Sequence, residues 1–311
     1  MIEIGSKTHQ NYGKSPTFLN MPLDVAQLVL EKLELEDLRV CRSLRTAVDT
    51  FATIRINDVD FQLDDHDINM YLDRIRINYT DSANGHSNVN YNEQKKETDE
   101  ENFMDSAVKD LKIVLKHASR ARIMNCTKNI RDTVTTFVEF FKSEKCIHVK
   151  RIELDKFSLD EVLTILPLFD SKELKAIDLK SIAIDQFERI SCLEQWKNAE
   201  ICTIRYSIFG AKIAHFFHFK SFYIYTLDKF KAIQTAIQIR DDLLRRSTFQ
   251  WCVIRFLRPN ANPIEIAKVF KPDYAGGKDF KIEYSNGTDK FDISLEWEWL
   301  VKYFELNVKR L

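Results

Sequence analysis

The sequence predicts an α/β protein: a small helical module at the N-terminus, followed by an open, curved solenoid of alternating strands and helices. Three observations carry this. Residues 18–50 place apolar side chains at helical spacing and show no strand pattern. Val149-Lys-Arg-Ile-Glu-Leu154 and Leu174-Lys-Ala-Ile-Asp-Leu179 match as [VL]-K-x-I-[DE]-L at an offset of 25 residues, the period of a strand-plus-helix repeat. The segments between these strands open with helix-capping residues.

Taken in order, residues 1–17 are polar and predict a flexible N-terminus. In the helical module of residues 18–50, Pro22, Val25, Ala26, Val29, Leu30 and Leu33 follow i, i+3, i+4 spacing and share one face. Pro22 suits a first turn, where its missing N–H costs nothing. After the acidic break at residues 34–37, Leu38, Val40, Cys41, Leu44 and Val48 predict a second short helix. Helices this short cannot enclose a core, so a partner or the rest of the chain must cover their apolar face. Residues 51–79 predict connecting strands, Ile54 to Leu63 and Met70 to Tyr79, the latter alternating at Ile75, Ile77 and Tyr79. Residues 80–102 are polar and aromatic-poor, which predicts an exposed loop.

The repeat domain is expected over residues 103–311. A helix (Phe103 to His117), a strand near Arg122 to Cys126 and a helix (Ile130 to Ser143) precede the matched strands, and Ile201 to Tyr206, Phe219 to Tyr225 and Trp251 to Phe256 continue the series. Ser158-Leu-Asp-Glu161 and Asp185-Gln-Phe-Glu188 read as capping boxes, and Asn262-Pro263 places a cap before an N1 proline. Residues 228–246 predict a helix with Phe230, Ile233, Ile237 and Leu244 on its inner face. Alternating strands and helices favour parallel pairing with right-handed crossovers, giving an open, leucine-rich-repeat-like sheet rather than a barrel. Phe280 to Tyr284, Gly287 and Phe291 to Leu295 predict a closing hairpin, then a terminal helix.

The 311 residues, 44% of them hydrophobic, can bury a substantial core, and 30% charge keeps the surface solvated. A formal net charge of -1 gives no electrostatic case for nucleic acid or an anionic membrane as main partner. No stretch has the unbroken apolar length of a signal or membrane span, so an intracellular location, cytoplasmic or nuclear, is expected. The six cysteines lack any C-x-x-C pair and read as small buried hydrophobes in a reducing compartment.

No enzyme signature is present. The seven glycines form neither G-x-G-x-x-G nor a P-loop, and Gly276-Gly277-Lys278 reads as a turn. There is no G-x-S-x-G elbow and no H-E-x-x-H, so neither catalytic residue, metal nor cofactor is expected. His215-Phe-Phe-His218 has the spacing of a metal-binding pair but no further ligands nearby, which favours packing. Between Lys109 and Arg131 seven Lys or Arg face one Asp. A solvated helix face is favoured there over an RNA-binding patch, because no stacking aromatics are interleaved.

Met21-Pro-Leu-Asp-Val25, Leu30-Glu-Lys-Leu33 and Val40-Cys-Arg-Ser-Leu-Arg45 resemble an F-box. His148-Val-Lys-Arg-Ile152, Ile165-Leu-Pro-Leu-Phe169, Leu193-Glu-Gln-Trp-Lys-Asn-Ala199 and His215-Phe-Phe-His-Phe-Lys-Ser-Phe222 resemble the FTH domain that follows the F-box in a large nematode family. The resemblance implies a substrate-recognition adaptor of a cullin-RING ubiquitin ligase. Its F-box would dock on a Skp-type adaptor through Pro22, Val25, Val29, Leu33, Leu38 and Cys41, and its FTH domain would hold a target protein. Between Leu33 and Val40 this chain is about one helical turn, ~3.6 residues, shorter than the usual F-box. That departure leaves a second expectation: a protein-binding scaffold whose shortened F-box does not dock. RNA binding through residues 109–131 is the third.

Overall fold

A fourteen-stranded mixed sheet organises the residues that the computed structural model describes, which are 56–311 apart from 74, 82–86, 92–93, 99–101, 128–134, 136, 140–146, 182–185, 206–211, 226–231, 258–261 and 299–302. Ile56–Leu311 is one compact unit and Met1–Arg55 another. The first strands are β1 (Ile56–Leu63), β2 (Asp67–Leu72), β3 (Ile75–Asp81), β4 (Ser87–Tyr91) and β5 (Gln94–Thr98), followed by α1 (Phe103–Leu115) and β6 (Ala118–Asn125). The repeats then run β7 (Arg151–Asp155), α2 (Leu159–Ile165), β8 (Ala176–Lys180), α3 (Phe187–Ser191), α4 (Glu194–Asn198), β9 (Ile201–Arg205) and β10 (Ser221–Ile224). The chain finishes with α5 (Ala232–Asp241), β11 (Trp251–Leu257), α6 (Pro263–Phe270), β12 (Phe280–Ser285), β13 (Lys290–Glu298) and β14 (Tyr303–Arg310).

β1 and β6 to β11 are parallel neighbours, as the strand and helix alternation predicts. The repeated motif is also a register: Ile152, Ile177 and Cys202 pair in line, as do Leu154, Leu179 and Ile204. The match extends into the turns, since Lys156 (φ 63°) and Ser181 (φ 53°) both take left-handed backbone just after their strands. Antiparallel strands flank this centre, β2 to β5 on one side and β14, β13, β12 on the other. The architecture is thus a mixed sheet with two antiparallel ends, not a uniform leucine-rich-repeat-like solenoid.

The core lies on one side of the sheet. A single row of side chains runs Leu72, Val59, Ala121, Ile152, Ile177, Cys202, Phe222, Cys252, Val308, Ile293, Ile282, and none of them is more than 6% exposed. Burying an aliphatic or aromatic side chain of this size contributes roughly 1.5–3 kcal/mol. Helix α1 is capped by Asn102, whose side chain accepts from Met104 N, and it packs Met104, Ala107, Val108 and Leu111 over β1 to β4. The capping box at Ser158 and Glu161 forms in full, and Asn262 caps α6 ahead of Pro263.

Several expectations are corrected. The polar segment 80–102 contains β4 and β5, so it is no simple loop, and residues 51–79 are not a mere connection, because β1 is a central strand. Polar residues make strands here because their amides satisfy one another: Asn78 Nδ2 donates to Asp67 Oδ2 and Asn69 Oδ1, and Asn90 Nδ2 donates to Asn78 Oδ1. The expected terminal helix is β14, where Phe304, Leu306 and Val308 alternate inward at a period of two. Helix α5 buries Ala232, Thr235, Ala236 and Ile239 and leaves Ile233 39% exposed, so its inner face is rotated from the one expected. Helix α3 begins after Gln186 with no side-chain cap, and Asp185, the first residue of the second expected capping box, lies outside the described residues.

Candidate functional site

Strict alternation along the central strands sends every second side chain to the opposite side of the sheet, which carries mainly Asp, Glu, Arg, Lys and Tyr, with a few aliphatics such as Ile201 and Val253. Three rows cross this polar face. One runs Asp58, Arg120, Arg151, Ala176, Ile201, Ser221, Trp251, Lys309; the next runs Asp60, Arg122, Glu153, Asp178, Thr203, Tyr223, Val253, Asn307. The third includes Asp155, Lys180 and Arg205 on β7 to β9, and Arg255 opposite Glu305 on β11 and β14.

From β1 to β8 the face is an ion-pair network. Arg122 reaches Asp60 (3.4 Å), Asp155 (3.3 Å) and Glu153, whose Oε1 lies 2.8 Å from Nε without the alignment of a hydrogen bond. Arg151 donates through Nε to Asp178 at 2.6 Å, Lys180 pairs with Glu153, and Arg120 pairs with Asp58 at 3.2 Å. All of these groups except Asp155 and Asp178 line a pocket of about 250 Å³. Burial raises the Asp60 carboxyl above its ordinary pKa, against the pull of Arg122. Cations and carboxylates neutralise each other here, and the lining holds no Ser, Thr, Cys or His.

From β9 to β14 the face turns aromatic. The Arg255 guanidinium lies 4.3 Å from the Tyr303 ring, 5.0 Å from Tyr223 and 5.2 Å from Tyr225, while its Nε donates to Glu305 at 2.6 Å. Burial pushes the Tyr223 phenol up to about 12, so its hydroxyl keeps its proton. Trp251 is 37% exposed, an unusual level for the largest apolar side chain in a protein with so full a core. Arg205 and Lys309 are exposed and form no ion pair among the described residues.

The histidine pair is a packing element. Trp196 Nε1 donates to His215 O at 3.4 Å, His218 Nε2 lies 2.9 Å from Trp196 O, and Phe187 stacks on His215 at 5.5 Å. Burial holds both histidines below their ordinary pKa. No cluster of His, Cys, Asp and Glu able to hold a metal occurs among the described residues. Burial raises the Cys202 and Cys252 thiols, which disfavours the reactive thiolate. The described part of the basic segment, residues 109–127, is not one patch: Lys109 and Lys112 lie on α1 and Lys116 is its C-cap, over the apolar side of the sheet, whereas Arg120 and Arg122 project from the other side into ion pairs. No helix among the described residues is long and apolar enough to cross a membrane.

Pro22, Val25, Val29, Leu33, Leu38 and Cys41, the residues expected to meet a Skp-type adaptor, lie outside the described residues. The aromatic face was missed from sequence, although period-two strands with Tyr223, Tyr225 and Arg255 at outward positions were its available signal. Comparison with protein families finds an F-box domain at residues 18–54 and an FTH domain at residues 131–273. The first covers all six expected adaptor contacts, and the second runs from the segment before β7 to just beyond α6. No curated protein and no solved structure matches the chain.

Proposed function

We propose, from an F-box followed in the same chain by an FTH domain, that this protein is the substrate-recognition adaptor of a Skp/cullin/F-box ubiquitin ligase. The F-box is the observation that carries the reading, since F-box domains typically bind Skp-type adaptors and suggest a substrate-adaptor role. Pro22, Val25, Val29, Leu33, Leu38 and Cys41 make that contact, because a short helical pair with an apolar face lacks a core of its own. The FTH domain holds the target protein, and other subunits transfer ubiquitin. F-box adaptors are generally not enzymes, in keeping with an ion-paired polar face. The protein acts inside the cell, in the cytoplasm, the nucleus or both.

The short connection from Leu33 to Val40 supports a second reading, a scaffold that binds its partner without recruiting ligase. Co-purification with recombinant Skp-type adaptor separates the two. Stoichiometric capture of the folded chain, lost on Pro22→Ala/Val29→Asp, is the result expected of the adaptor. A folded chain that is not captured refutes it and leaves the scaffold.

A further inference from the structure

We infer that β12, an edge of the sheet, pairs antiparallel with β12 of a second copy of this chain, joining two sheets about a two-fold axis at Ile282. This is independent of the adaptor reading. Strand β12 ends the strand order and pairs with β13 alone. The segments that adjoin it, residues 262–279 and 286–298, are all among the described residues. It holds no proline, and its pairing with β13 runs from Phe280 to Ser285 without a bulge. Two hydrogen bonds fix the direction of its peptide groups. Leu311 N donates to Lys290 O, which turns Lys290 toward β14, and Asn286 N donates to Asp289 O, which turns Asn286 toward β13. Backbone groups alternate along a strand, so Phe280, Ile282 and Tyr284 bond to β13, while the N–H and C=O groups of Lys281 and Glu283 point away from it. No hydrogen bond reaches those outward groups among the described residues. Unpaired edge groups of this kind template the addition of another strand.

Charge selects the strand that is added. Lys281 and Glu283 project on the polar side, 75% and 59% exposed. Both are paired diagonally with β13: Lys281 lies 3.0 Å from Asp292, and Glu283 lies 2.8 Å from Lys290. In an antiparallel pair, outward residues must meet outward residues. Setting Ile282 against Ile282 of the second copy does this, because Lys281 then meets Glu283 of the second copy and Glu283 meets its Lys281. Each such pair exchanges both backbone hydrogen bonds and sets opposite charges face to face. The same register brings Asp279 to Ser285 of the second copy, which stands opposite Lys290. On the apolar side Phe280 comes opposite Tyr284, so the core row that ends at Ile282 continues into the second sheet. Sliding one strand by two residues sets Lys281 against Lys281 or Glu283 against Glu283, and like charges directly opposite are destabilising. Sliding it by one sets apolar side chains against polar ones. Pairing of β12 with β5, the other end of the strand order, would add copies without closing.

Sedimentation equilibrium of the full chain over micromolar concentrations tests this, with circular dichroism confirming that each variant is folded. The wild type should follow a monomer–dimer equilibrium. Lys281→Glu and Glu283→Lys should each weaken the dimer roughly tenfold or more, since the two-fold axis makes every substitution act twice. An equimolar mixture of these two variants should regain the dimer, because each supplies the charge that the other lacks. Glu283→Pro should also dissociate it and leave the fold intact, since the N–H it removes points away from β13. A wild type that stays monomeric, a dimer that survives either charge reversal or Glu283→Pro, a mixture that does not associate, or oligomers that keep growing with concentration would each overturn the inference.

Discussion

Replacing Arg151 by Met should destabilise the described unit by about 2–3 kcal/mol. The Asp178 side chain is 3% exposed, its Oδ2 accepts from Arg151 Nε at 2.6 Å and faces Nη2 at 2.5 Å, and its Oδ1 has no other partner. Removing the guanidinium leaves a buried carboxylate without compensation, a change that costs roughly 3–5 kcal/mol in a fully buried pair. Arg151 is itself 34% exposed, so water reaches the vacated position and lowers the figure. Asp178→Leu combined with Arg151→Met removes both charges and should recover most of the loss. Urea unfolding followed by tryptophan fluorescence measures all three variants, provided the slope is unchanged. An Arg151→Met loss under about 0.5 kcal/mol, or a double variant whose loss is the sum of the two singles, would refute the claim that this half of the polar face is structural.

Three further outcomes follow from particular contacts. Burial lowers the His218 pKa below the ordinary 6.5, so the unfolded chain takes up the proton first; stability should fall as pH drops through about 6.5, and His218→Gln should flatten that dependence in melts across pH 5 to 8. Ser158→Ala removes the hydroxyl that accepts from Glu161 N, leaves the backbone N–H of residue 158 donating to Glu161, and should cost about 1 kcal/mol by denaturant titration, with Ser158→Asp close to neutral. Leu306→Ala, fully buried in β14, should cost about 2–5 kcal/mol; a loss under 1 kcal/mol would mean that β14 is not part of the core.

The repeat strands were legible in the sequence because their pattern is local: [VL]-K-x-I-[DE]-L places the aliphatics on one side, and the 25-residue offset becomes the pairing of Ile152 with Ile177. The histidine pair was legible as packing, and its contacts are with Trp196 and Phe187. β4 was not, because Ser87-Asn88-Val89-Asn90 has loop composition, and only the amide ladder from β3 makes it a strand. β14 was hidden for a related reason: its short alternating run settles as a strand only once β11 and β13 offer edges on both sides.

The sequence by itself determined the two-part organisation, the F-box and FTH resemblances, and the alternation that gives the sheet one apolar and one polar side, because each of these is written within a few dozen consecutive residues. Only the tertiary structure decided what the polar side does. Asp58 meets Arg120, and Arg255 meets Glu305 and Tyr303, through pairing between strands remote in the chain. Register therefore divides that side into an ion-paired network and an aromatic cluster around Arg255, and no local pattern carries the register between distant strands.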